Sequence, residues 1–74
     1  MSQLIMTAVF KDAEAKEAKA VANLQNYMQN AAGIGEHPDI VAECMKLVKD
    51  IAEAREIKEI CNSLVEQSNN NQNK

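Results

Sequence analysis

Gly33-Ile34-Gly35-Glu36-His37-Pro38 decides the reading of this chain, because two heptad-spaced apolar stripes run toward it from either side. Its chemistry is that of a stop followed by a start. Glycine suits the left-handed C′ position that ends a helix, so Gly33 closes the first segment, and Ile34 folds back on Met28 as the contact of a Schellman-type ending. Proline suits the first helical position, where its missing N–H is no loss. Pro38 therefore opens the second segment, and Asp39 beside it favours the positive helix end. A connection of about five residues is the usual link between antiparallel neighbours.

Outward from this break the stripes are regular. Alternate steps of four and three from Met6 reach Phe10, Ala13, Glu17, Ala20, Leu24, Tyr27 and Ala31, and only Glu17 is charged. The same steps from Ile40 reach Cys44, Leu47, Ile51, Ala54, Lys58, Cys61 and Val65, and only Lys58 is charged. This is a coiled-coil seam, not strand alternation, and the abundance of Ala, Glu, Lys and Leu agrees with helix. The expected fold is all-α, an antiparallel two-helix hairpin over residues 1–67, with a helix at about 7–32, a start near Ser2 being the alternative, a loop at 33–37 and a helix at about 38–67. Residues 68–74, Ser-Asn-Asn-Asn-Gln-Asn-Lys, hold no apolar group to bury and are expected to form a disordered polar tail.

Folding the stripes about the break pairs Ala31 with Ile40, Tyr27 with Cys44, Leu24 with Leu47 and Ala20 with Ile51. Farther out, Phe10 meets Cys61 and Met6 meets Val65. The two charged seam residues, Glu17 and Lys58, fall about one turn apart on opposite helices, which predicts a cross-hairpin ion pair. Two side chains that reach solvent independently are the alternative. If paired, they fix register more than they add stability.

At 74 residues the chain makes at most one small domain, and one core of that size rarely supplies more than about 3–5 kcal/mol, so external support is expected. A disulfide is excluded within one chain. Cys44 and Cys61 fall on one helix, 17 positions and hence roughly 25 Å apart, several times the reach of an S–S bond. Both lie on the seam and read as buried reduced thiols. A zinc site needs about four ligands at local spacing, and the single histidine, His37, lies in the loop. Oligomerisation remains.

The apolar surface points the same way. Beside the seam, Val41, Met45 and Val48 line one flank of the second helix, whereas Ile57, Ile60 and Leu64 line the opposite flank farther on. The first helix adds Val9, Val21 and Met28. Two-helix packing covers one stripe per helix, so these flanks stay open in a monomer. A homodimer forming an antiparallel four-helix bundle is the expected solution, closed two-fold assembly being the commonest kind. Ile57, Ile60 and Leu64 are the first interface candidates and Val41, Met45 and Val48 the second. A heterologous protein partner serves the same physical need.

No chemistry-bearing constellation is found. Gly33 and Gly35 end a helix, with no strand before them and no Lys-Ser/Thr after, so no phosphate loop is present. His37 lies about seven residues, or roughly 10 Å along the axis, from Cys44, too far for a nucleophile and its base. The expectation is a non-enzyme without catalytic, cofactor-binding or metal residues. A net charge of −3 and pI near 5.0 argue against nonspecific nucleic-acid binding. A dimeric RNA-binding hairpin would have to rely on Lys11, Lys16 and Lys19, which alternate with Asp12, Glu14 and Glu17. The longest apolar runs are a few residues, such as Leu4-Ile5-Met6, so neither a membrane span nor a signal peptide is read, and a cytoplasmic location is expected.

The run from Asn23 through Tyr27, Gly33, His37 and Pro38 to Ile40 resembles short, uncharacterised helical-hairpin proteins of large tailed phages of marine bacteria, cyanophages among them. The resemblance covers about a quarter of the chain. It implies an intracellular product of an infected cell, or a minor virion component, and brings no site residues. The functional expectation is self-association and protein–protein contact, with an adaptor folding onto a host protein as the alternative.

Overall fold

In the computed structural model, residues 2–30 and 39–72 are described, with side chains over 3–30 and 39–67. Two helices account for this backbone: α1, Ser2–Asn30, and α2, Ile40–Gln72. They pack against each other in an all-α hairpin. The molecule is a rod of 59 × 15 × 15 Å with a radius of gyration of 17.0 Å. A globular chain of this length would have a radius near 11 Å, so the hairpin has length without depth.

The seam faces inward as its spacing dictates. Ala13, Ala20, Ile51, Ala54 and Cys61 are buried, while Met6, Phe10, Leu24, Tyr27, Ile40, Cys44, Leu47 and Val65 are half-buried. Three of the five buried side chains are alanine, which lets the backbones approach the short end of the usual range of about 8–10 Å. The same smallness limits the core. Both cysteines are free thiols, Cys61 buried and Cys44 half-buried.

Helix bounds differ from the sequence expectation at three described places. α1 begins at Ser2, the alternative start, and not at about 7. α2 begins at Ile40, not at 38, because Asp39 acts as its N-cap. The Asp39 Oδ1 accepts the Ala42 N–H at 3.0 Å, and its carbonyl accepts the Glu43 N–H at 3.2 Å, closing the first turn. A residue capping in this way has a non-helical backbone. At the other end α2 runs to Gln72, through most of the segment expected to be a disordered tail. Propagation adds one hydrogen bond per residue fixed, so a nucleated helix continues past its last apolar residue. The helix-ending signals at Gly33 and Ile34, the Ala31–Ile40 pairing, Glu36, His37 and Pro38 lie outside the described residues.

Candidate interaction surfaces

The seam carries one charged cluster. Glu17, whose side chain is 16% exposed, meets the Lys58 ammonium at 2.6 Å through Oε1 and accepts the Arg55 Nε–H at 2.9 Å through Oε2. Oε1 is shielded from solvent, and the Lys58 ammonium is its ionic partner. The Lys58 ammonium, followed by the Arg55 guanidinium, holds the Glu17 carboxyl below its ordinary 4.5. Lys58 Nζ also lies 5.6 Å from the centroid of the Phe10 ring, within cation–π range. The Arg55 contact is not foreseen from the stripes, because Arg55 is off the seam and reaches Glu17 from the side. Its place three residues before Lys58 is the one signal the sequence holds for it.

Each broad face of the hairpin has its own character. One face is a groove floored by Ala13, Ala20 and Ala54, with Val9, Asp12, Lys16 and Lys19 on the α1 rim and Asp50, Glu53 and Ile57 on the α2 rim. Heptad arithmetic extends this face. Ile5 lies seven before Asp12, Ile60 seven after Glu53 and Leu64 seven after Ile57, so all three share its side. Ile5 is 62% exposed, Ile60 50%, Leu64 46% and Val9 38%, whereas Ile57 is half-buried by its own hairpin. The far end of the groove face is thus an aliphatic patch. Toward the connection the same face is charged, with Lys16 held at 3.0 Å from Asp12. Asp12, with a smaller pull from Glu53 across the groove, raises the Lys16 ammonium above its ordinary 10.5.

The opposite face holds Glu14, Ala18, Val21 and Gln25 beside Glu17 and Lys58. Val48 lies seven before Arg55, Val41 another seven before that, and Met28 seven after Val21, which gathers them on this side near the connection. Met45 stands between Val41 and Val48 toward the outer edge. Val41 is 77% exposed, Met28 71%, Met45 52% and Val48 48%, while Val21 is half-buried. Leu4, 76% exposed, and Ile5 join the apolar surface only because α1 begins at Ser2. The two patches lie on opposite faces at opposite ends. Of the other lysines considered for RNA contact, Lys11 lies 3.9 Å from Glu14 on its own helix.

Among the described residues no group of three His, Cys, Asp or Glu side chains could hold a metal ion, and no helix is long and apolar enough to cross a membrane. No protein-family model, curated protein or solved structure matches the chain significantly.

Proposed function

We propose that this chain is a non-enzymatic helical hairpin that acts by self-association and protein–protein contact, a second copy completing a four-helix bundle. The observation that carries the reading is the imbalance between core and surface. Among the described residues, five small or medium side chains are buried, while nine large apolar ones are at least 38% exposed. The chain exposes 5877 Å², against about 4,500 Å² for a compact monomer of 8.2 kDa. The difference, about 1,300 Å², exceeds the roughly 800 Å² each partner contributes to a standard interface.

Light scattering across a concentration series, with helicity recorded on the same samples, tests this directly. The wild type is expected to be a helical dimer at micromolar concentration, and Ile60→Lys a helical monomer. A wild type that stays monomeric and weakly helical at every concentration would sink self-association. One observation favours a second reading, an adaptor seated on another protein: the patch of Met28, Val41, Met45 and Val48 lies on the face away from Ile60 and Leu64, and a single two-fold contact covers only one of the two.

A further inference from the structure

We propose that the second copy seats on the groove face with the two hairpins pointing the same way, so that α1 of each copy lies over α2 of the other. This rests on the self-association reading and specifies its geometry. The groove face is graded along its length. Its far end is aliphatic, through Val9, Ile60 and Leu64, and its other half is divided by charge, with Lys16 and Lys19 on α1 and Asp50 and Glu53 on α2. Asp12, on the α1 rim toward the aliphatic end, pairs with Lys16 within the chain and leaves that rim net basic through Lys19.

Two closed arrangements bring this face against itself. A two-fold axis parallel to the helices keeps every residue at its own height and exchanges the helices. The aliphatic end then meets the aliphatic end. The register of the hairpin, with Glu17 beside Arg55 and Met6 and Phe10 beside Cys61 and Val65, puts Lys16 and Lys19 within about one turn, 5.4 Å, of the partner's Glu53 and the partner's Asp50. Basic rim faces acidic rim twice, once on each side of the axis.

An axis across the helices lays α1 on α1 and reverses it. Lys16, the midpoint of Ser2–Asn30, then faces its own copy, and the aliphatic end covers the charged half. Sliding the copies until the aliphatic ends meet would leave half of each hairpin uncovered. Like charges at close range and apolar groups set against charged ones both oppose this arrangement. The other face offers less to direct a partner, since Glu17, Arg55 and Lys58 there all pair within the chain, whereas of Lys16, Lys19, Asp50 and Glu53 on the groove face only Lys16 does, with Asp12. Lys19, Asp50 and Glu53 have no ion-pair partner among the described residues.

Charge reversal tests the geometry. One full-length chain carries Lys16→Glu and Lys19→Glu, another carries Asp50→Lys and Glu53→Lys, and each is measured alone and in equimolar mixture by sedimentation equilibrium, with helicity by circular dichroism. All four positions are exposed, so helicity is expected to persist. Each variant alone is expected to dimerise at least tenfold more weakly than wild type, and the mixture to recover dimers, because every reversed rim then meets its opposite. Wild-type affinity in either variant alone would overturn the arrangement, as would a mixture of helical chains that fails to recover. A wild type that is itself monomeric overturns the self-association reading as well, and is seen before any variant is compared.

Discussion

Glu17 occupies a seam position where the heptad pattern calls for an apolar side chain, and it stays there because two cations from α2 close on its carboxylate. A carboxyl whose folded pKa lies below its unfolded value binds its proton more weakly in the folded chain. Its contribution to stability is therefore complete above the unfolded pKa and is lost as pH falls through the folded one. For Glu17, lowered from 4.5 by Lys58 first and Arg55 second, the loss falls on the acid side of that value. Glu17→Gln is expected to lower the Tm at pH 7 and to flatten the fall of Tm between about pH 5 and pH 3, the range just around and below an ordinary carboxyl pKa. Thermal melts of both chains across that range check it, and parallel acid limbs would show that the cluster is not what acid breaks. Two charged seam residues about one turn apart on opposite helices are visible in the sequence. That Arg55 joins them, and that Phe10 lies beneath Lys58, is not, because spacing assigns faces while these contacts depend on the rotamers of long side chains.

The helices illustrate a similar division. A period of seven with one charged break per stripe is a strong signal, and it places every buried side chain, since Ala13, Ala20, Ile51, Ala54 and Cys61 all lie on the two stripes. Boundaries are weaker signals. Pro38 and Asp39 both suit a helix start, and choosing between them requires knowing which group receives the Ala42 N–H; the Asp39 carboxylate does. Removing an N-cap of this type costs typically about 1 kcal/mol, and about 1 kcal/mol shifts the Tm of a small domain by about 4–8 °C. Asp39→Ala is accordingly expected to lower the Tm by several degrees, while Asp39→Ser is expected to hold it near wild type; equal loss in both would remove the cap from the account. The other end of α2 was hidden for another reason. Polar residues 68–72 bury nothing that a periodicity argument can register, yet helix continues to Gln72 because extending an existing helix needs no new nucleus.

For the whole molecule, the rod shape sets the energetics. Two helices in one layer give each residue neighbours on one side only, so burial stays with alanines and flanking aliphatics and most of the apolar surface remains open. The faces that remain open follow from the heptad positions that the flanking aliphatics occupy, which change sides along α2: Val41 and Val48 share the position of Arg55, whereas Ile57 and Leu64 share that of Asp50, and Ile60 that of Glu53. The aliphatics of α2 thus line opposite faces at its two ends, which is legible in the sequence; which end meets which in an assembly is not, since that depends on a symmetry operator the chain does not spell out. If a second copy supplies the missing layer, association stabilises the folded chain, so above the melting temperature of the lone hairpin the dimer passes to two unfolded chains and stability depends on concentration. A hundredfold rise in concentration then adds about 2.7 kcal/mol per dimer. Two such chains unfold together with an entropy of about 0.3 kcal/mol/K, so the Tm should rise by about 9 °C. Ile60→Lys should melt at one temperature at both concentrations, and lower than wild type, because the layer that Ile60 helps to complete is then absent. A wild-type Tm independent of concentration over that range, with full helicity, would instead mean that the hairpin's narrow alanine seam suffices alone.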